Sequence, residues 1–217
     1  IGCKLKVANL NPDGSLDEVD FKAKLNAKTK LVAMTHMSNV IGTAPPVADL
    51  IQYIRQQPEL QHTKILLDGA QAIVHGPVEP DKLDCDFYTF SAHKLYGPTG
   101  IGVLWGRYSV LESMPPYHGG GDMIEQVSFS GTTFQLPPMR FEAGTPNITA
   151  TIGLSATLDY LADLDWDAVN SHEDDLINYA YTGLQANSKI NLLPHPPGAG
   201  PVISFTHCDV HAHDLAT

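Results

Sequence analysis

The feature that most constrains the fold is a strand, helix, strand pattern early in the chain. Residues 30–35 form an apolar run typical of a buried strand, and residues 64–67 form a second one. Between them, residues 46–56 carry apolar side chains at helical spacing. Two strands joined through one helix imply a right-handed crossover and a parallel sheet, whose ligand crevice lies at the carboxyl ends of the strands. The sequence therefore predicts an α/β fold.

A lysine and an aspartate each follow an apolar run, and together they indicate a cofactor. Lys94 comes after the strand-like residues 86–90, and Asp68 closes the run at residues 64–67. A lysine amine can bind pyridoxal phosphate as a Schiff base, and a carboxylate can keep the pyridine nitrogen protonated so that the ring accepts electrons. A solvated lysine and a helix N-cap aspartate are the alternatives. The pair predicts a pyridoxal phosphate site with Lys94 as its catalytic residue.

Neighbouring residues can supply the other contacts of this cofactor. Ser91 and His93 share a turn with Lys94 and are candidate phosphate donors. Gln71, just after Asp68, and Asn39, after the first strand, are candidates for the ring hydroxyl. Ordinary loop amides are the alternative for the last two.

Four segments in order, residues 35–43, 67–72, 91–100 and 141–147, resemble the cysteine desulfurases and selenocysteine lyases of the class V aminotransferase family. Four ordered matches are far more specific than any single short motif. The resemblance implies fold type I, in which a mostly parallel sheet is sandwiched by helices. It implies a large pyridoxal phosphate domain at residues 1–162 that lacks its N-terminal part. Residues 163–217 are then the incomplete beginning of a smaller C-terminal α/β domain.

The resemblance also implies an activity. Enzymes of this family convert L-cysteine to L-alanine and pass the sulfur to an enzyme cysteine, and some act on L-selenocysteine. A homodimer, a sulfur-acceptor protein and a role in iron–sulfur cluster assembly are implied as well. Thr145 matches the threonine that reaches the phosphate from the other subunit, although by itself it would be a turn-stabilising hydroxyl. Lys94, released when substrate binds, would serve as the base for proton transfer.

The sulfur-accepting nucleophile has no match among the three cysteines. Cys85 is flanked by carboxylates, which raise a thiol pKa, and is interpreted as structural. Cys208 stands among histidines and aspartates, but the stretch lacks a defined ligand spacing, so no metal site is predicted. The substrate-binding arginine and the ring-stacking histidine of the family have no match either. We therefore expect the chain to be a fragment that is inactive by itself.

Two other functions stay open at this point. Another class V enzyme, such as an aminotransferase or a kynureninase-like hydrolase, would use Lys94 and Asp68 in the same way. A non-catalytic dimerisation module is the third possibility. The run at residues 91–98 favours the desulfurase.

The composition of the chain excludes several other classes of protein. The 217 residues are 43% hydrophobic, enough for a real core, and 13 basic against 24 acidic residues give a net charge of −11. This charge disfavours nucleic acid as a partner. No apolar stretch approaches the roughly 18 residues of a membrane span, and residues 1–5 lack the layout of a signal peptide, so a cytoplasmic location is expected. Residues 117–138 are predicted to form a long flexible loop, residues 148–161 a helix and residues 201–206 a strand.

Overall fold

The computed structural model describes residues 2–196 and 198–217. Seven α-helices and eight strands occur in these residues, in the order α1 (Glu18–Lys24), β1 (Leu31–Thr35), α2 (Val47–Gln56), β2 (Lys64–Asp68), α3 (Pro80–Leu83), β3 (Phe87–Ser91), β4 (Gly102–Gly106), α4 (Tyr108–Ser113), β5 (Ile124–Ser128), β6 (Gly131–Phe134), α5 (Ile148–Ala162), α6 (Trp166–Gln185), β7 (Ile190–Leu192), β8 (Phe205–His207) and α7 (Ala212–Leu215). Four short 3-10 helices lie at Pro58–Leu60, Ala72–His75, Ala92–Lys94 and Met139–Phe141.

The main sheet has four strands in the order β1, β2, β3, β4. Strand β2 pairs in parallel with β1 and with β3, and β4 pairs antiparallel with β3. The strand, helix, strand prediction is thus confirmed, and so is the mostly parallel α/β fold. In this register Asp68 lies opposite Thr35 on one side and Thr89 on the other. The carboxyl ends of the three parallel strands consequently meet at one edge of the sheet.

Helix α2 covers the sheet because one of its faces is apolar. Leu50, Ile51 and Ile54 are almost completely buried on this face, and they join Ile65 and Leu67 of β2 in one hydrophobic cluster. Burying each such side chain stabilises the fold by about 1.5–3 kcal/mol. The sheet that carries the candidate site therefore rests on a well-packed support.

The longer helices begin at capping side chains. Asn147 accepts a hydrogen bond from the Ala150 amide at the start of α5, and Asp165 accepts one from Ala168 at the start of α6. Each cap satisfies an amide that the first helical turn leaves free. The predicted helix at residues 148–161 is confirmed. No helix in residues 2–196 or 198–217 combines the length and apolar character that membrane crossing requires.

One prediction about local structure is wrong, and another is confirmed only in part. Residues 117–138 are not an unstructured loop, because β5 and β6 pair in an antiparallel hairpin within them. Residues 201–203 do not form a strand, whereas residues 205–207 pair with β7 and the Ser204 carbonyl accepts from the Leu193 amide at 2.8 Å. The Val202 amide donates locally, to the Gly200 carbonyl at 2.7 Å. The division into domains at residue 163 stays a prediction.

Candidate active site

The turn that carries Lys94 is anchored on both sides of the lysine. It forms the 3-10 helix Ala92–Lys94 directly after β3. Ala92 is fully buried and Leu95 nearly so, while the amides of Leu95 and Gly97 both donate to the Ala92 carbonyl at 2.9 Å. Lys94 stands half-buried between these anchors, and the turn is therefore fixed before any ligand binds.

The Lys94 amine has no hydrogen-bond or carboxylate partner in the part of the chain that the structure describes. Other lysines do pair: Lys82 lies 2.6 Å from Glu79, and Lys189 lies 2.8 Å from Asp209. An amine that must react with a carbonyl group has to be free of such a partner. The surroundings of Lys94 satisfy this requirement.

Ser91 and His93 flank the same turn. Ser91 ends β3 opposite Gly102 and is half-buried, whereas His93 is exposed. Neither side chain takes part in a hydrogen bond within residues 2–196 and 198–217, so both are available to an anion. Tyr96, two residues after Lys94, has a φ of 59° although it is not glycine. Such left-handed backbone is costly for a bulky residue and is concentrated at functional sites.

Asp68 is the last residue of β2, and its side chain is exposed at the strand end. Its carbonyl accepts from the His36 amide at 2.8 Å, and its Oδ1 accepts from the Ala70 amide at 3.0 Å. It does not cap the following helix, because Gln71 occupies the N-cap of Ala72–His75. The other carboxylate oxygen, Oδ2, has no partner among the described residues. The backbone is thus fixed while one oxygen stays available.

Tyr88 of β3 lies beneath the turn that follows Asp68, a contact that the sequence patterns did not reveal. Its hydroxyl is 3.1 Å from Nδ1 of His36, the residue after β1. Burial lowers the pKa of His36 and raises the pKa of Tyr88, so the pair is neutral near pH 7. The two side chains therefore link β3 to the residue that follows β1, across the end of β2.

Asn39 and Gln71, the candidate ring-hydroxyl ligands, lie on the two loops that leave β1 and β2. Asn39 is exposed and Gln71 is half-buried. Neither side-chain amide is hydrogen-bonded within the described ranges. Both amides are hence free for a ligand at this edge, and their roles stay predictions.

Thr145 is exposed and belongs to a segment that packs beside the Gly119–Gly121 run. The amide of Gly144 donates to the Gly121 carbonyl at 3.0 Å. Asn147, two residues later, approaches the Lys94 turn, since its Nδ2 lies 3.6 Å from the position of a Cβ on Gly100. No hydrogen bond joins the Thr145 hydroxyl to the residues that the structure describes. Its contribution from a second subunit stays a prediction.

The cysteines occupy very different surroundings. Cys85 is fully buried, and burial raises the pKa of its thiol to about 11, to which the carboxylates of Asp86 and Asp84 add. This supports the interpretation of Cys85 as structural. Cys3 and Cys208 are exposed.

Cys208 lies in a cluster of potential metal ligands, although the sequence predicts no metal site there. One potential ligand atom each from His207, Cys208 and Asp209 lie within 4.8 Å of one another. The ammonium of Lys189 is 2.8 Å from Asp209 and lowers the pKa of that carboxyl. A positive charge already neutralises this carboxylate, which disfavours a cation there.

Comparisons with known proteins identify the family of the chain. The aminotransferase class-V family matches residues 1–217. The chain therefore belongs to the aminotransferase class-V family.

Among its relatives, a cysteine desulfurase of Serratia proteamaculans is 46% identical over 217 residues, which is 100% of this chain and 52% of the relative. The solved structure of a cysteine desulfurase from Escherichia coli is 38% identical, with a TM-score of 0.88 over 95% of this chain and 50% of that chain. A cysteine desulfurase from Thermococcus onnurineus is 34% identical, with a TM-score of 0.88 over 100% of this chain and 53% of that chain. The chain thus spans about half the length of the relatives that it matches.

Proposed function

We propose that the chain is the pyridoxal phosphate-binding part of a cysteine desulfurase. The observation that carries the proposal is the position of Lys94, whose unpaired amine stands on a rigid turn at the same sheet edge as the free oxygen of Asp68. A covalent amine and a nearby carboxylate are the two groups that this cofactor needs from a protein. The residues present therefore fit the cofactor.

When bound, pyridoxal phosphate withdraws electrons from the bonds at the substrate α-carbon. The negative charge of Asp68 would keep a proton on the pyridine nitrogen. The part of Lys94 is to hold the cofactor covalently and then, once released by the incoming substrate amine, to move a proton at the α-carbon through Nζ. Asn39 and Gln71 orient the ring by hydrogen bonds to its hydroxyl.

The phosphate requires donors from more than one direction. Ser91 and His93 provide them from the Lys94 turn, and Thr145 provides one from a second copy of the chain. Exposure of Thr145, without a partner in the residues described, supports this assignment. The functional unit proposed is accordingly a homodimer.

The relatives named above favour L-cysteine as the substrate. The carbon–sulfur bond breaks, L-alanine leaves, and a cysteine thiolate of the enzyme takes the sulfur as a persulfide, which a sulfur-acceptor protein then receives. L-Selenocysteine is a candidate for the same chemistry because its carbon–selenium bond occupies the same position. The buried Cys85 is unsuited to the thiolate role.

The assignment of Lys94 is tested on the full-length protein loaded with pyridoxal phosphate. Borohydride reduction followed by peptide mass mapping should place a pyridoxyl group on Lys94. Lys64 and Lys82 serve as internal controls, since both have carboxylate partners. A label on either of these lysines, with Lys94 unmodified, would refute the proposal.

A further inference from the structure

Two contacts join the part of the chain after Asp163 to the loops that carry Gln71 and Asn39. In the first, Nδ1 of His75 lies 2.8 Å from Oε2 of Glu173 on helix α6. In the second, the amide of Gly200 donates to the carbonyl of Gly42 at 2.8 Å. The partners are 98 residues apart in the first contact. Both contacts therefore depend on the tertiary fold.

The first contact fixes the segment between Asp68 and His75. His75 ends the 3-10 helix for which Gln71 is the N-cap, and the Ile73 amide donates to the Gly69 carbonyl at 3.0 Å. The side chains of His75 and Glu173 are only 16% and 24% exposed. The second ring nitrogen of His75, Nε2, is buried and has no hydrogen-bond partner among the residues described. Glu173 is thus the polar anchor for the end of this short helix.

The second contact fixes the loop between Met37 and Thr43. The Ser38 amide donates to the Thr43 carbonyl at 2.8 Å, and the Gly42 amide donates to the Ser38 carbonyl at 3.1 Å, so the loop is closed on itself with Asn39 at its tip. The hydroxyl of Ser204 also donates to the carbonyl of Val40.

Gly42 is needed for steric reasons at the second contact, and a side chain at position 200 would displace Met37 of the same loop. A Cβ on Gly42 would lie 2.7 Å from the Gly200 carbonyl oxygen, and a Cβ on Gly200 would lie 2.4 Å from Sδ of Met37. The Gly42 φ of 70° adds a backbone requirement. The close approach of the two segments therefore depends on the glycine at position 42.

We propose that helix α6 and residues 200–204 form a brace that holds the two ligand-bearing loops in their binding positions. His75, Glu173 and Gly200 are its positioning residues, and they act through Gln71 and Asn39. The inference rests on the proposed function, in which these two amides contact the cofactor. It deepens that function by making cofactor affinity depend on the part of the chain predicted to belong to a smaller domain. Without the brace, binding would have to order both loops at an entropic cost.

The test uses the full-length protein with and without pyridoxal phosphate. In the cofactor-free protein, Glu173→Ala should speed hydrogen exchange of residues 69–76 about tenfold, because a charge-assisted hydrogen bond is lost. It should also weaken cofactor binding about tenfold, as measured by absorbance titration. Glu173→Gln can still hydrogen-bond to His75, so its hydrogen exchange and its cofactor affinity should both lie close to those of the parent protein. Asp174→Asn, on the exposed neighbour of Glu173, is the matched control and should change neither.

A second variant tests the other contact independently. Gly200→Ala should speed exchange of residues 37–43 and weaken cofactor binding, while Gly183→Ala, where a Cβ meets nothing within 4 Å, should not. Unchanged exchange in both Glu173→Ala and Gly200→Ala would overturn the brace, and so would faster exchange with unchanged cofactor affinity. Failure of the proposed function is distinguishable, since the parent protein would then bind no pyridoxal phosphate at Lys94.

Discussion

The phenol ring of Tyr88 occupies the space that a side chain at position 69 would need. A Cβ on Gly69 would lie 2.0 Å from both Cζ and the hydroxyl oxygen of Tyr88. Because Tyr88 is buried and bonded to His36, it cannot swing away without breaking that pair. The end of β2 can therefore carry Asp68 in its observed position only if the next residue is glycine.

Gly69→Ala should accordingly destabilise the protein. Overpacking of this kind costs about 1–3 kcal/mol in the free energy of unfolding, which urea denaturation followed by circular dichroism would measure. Gly183→Ala in helix α6 is the control, and there alanine should be neutral or stabilising by up to about 1 kcal/mol. Equal stability of Gly69→Ala and the parent would show that Tyr88 does not confine this turn.

Asp68→Ala in the full-length protein should impair catalysis much more than it lowers cofactor content. The covalent bond at Lys94 and the phosphate contacts remain, but the pyridine nitrogen loses the charge that holds its proton. We expect activity per bound cofactor to fall on the order of a hundredfold, measured as alanine released against bound pyridoxal phosphate. Asp49→Ala, on an exposed position of α2, should leave that ratio at the parent value. If Asp68→Ala and the parent protein had equal activity per bound cofactor, the role assigned to Asp68 would be contradicted.

The sequence predicted the strands of the main sheet better than it predicted the loops around them. Residues 64–67 are apolar and Asp68 is not, so periodicity alone located the strand end and the candidate ligand. The hairpin of β5 and β6 was not predicted because its glycine, serine and threonine content is also typical of loops. Residues 201–203 have strand-like composition, yet the Val202 amide bonds locally to the Gly200 carbonyl instead of joining a ladder. Contacts such as His75 with Glu173 join distant segments and leave no local pattern.

Cys85 should be the least reactive of the three thiols. With its pKa raised to about 11 by burial, about one molecule in a thousand carries the thiolate at pH 8. Iodoacetamide at pH 8 should therefore label Cys3 and Cys208, both exposed, well before Cys85. Labelling of all three at similar rates in the folded protein would contradict the buried position.

The raised pKa of Cys85 also makes the free energy of unfolding depend on pH in the alkaline range. Folding favours the neutral Cys85 thiol, so its contribution is fully present below the ordinary pKa of 9.0 and is lost as pH rises through about 11. We expect the free energy of unfolding to fall more steeply over this window in the parent than in Cys85→Ala, which serves as the comparison. If the free energy of unfolding of the parent and of Cys85→Ala depended on pH in the same way, the pKa of Cys85 would not be raised by folding.

The 217-residue chain, supplied with pyridoxal phosphate and a reductant, should not release alanine from cysteine at a meaningful rate. Turnover requires a mobile thiolate and a cation that holds the substrate carboxylate. Among the described residues, Cys85 is buried, and all three arginines are already hydrogen-bonded: Arg55 to Asp86, Arg107 to Asp84, and Arg140 to the carbonyl of Glu112.

Parallel assays of alanine and sulfide, with the full-length protein as the positive control, would check this expectation. Cys208→Ser and Cys3→Ser distinguish the alternatives that the structure leaves room for, because both cysteines are exposed. Robust formation of both products that depends on pyridoxal phosphate and is abolished by either substitution would place the nucleophile within this chain. Such a result would also require Arg55, Arg107 or Arg140 to leave its present partners when substrate binds, since each guanidinium is otherwise occupied.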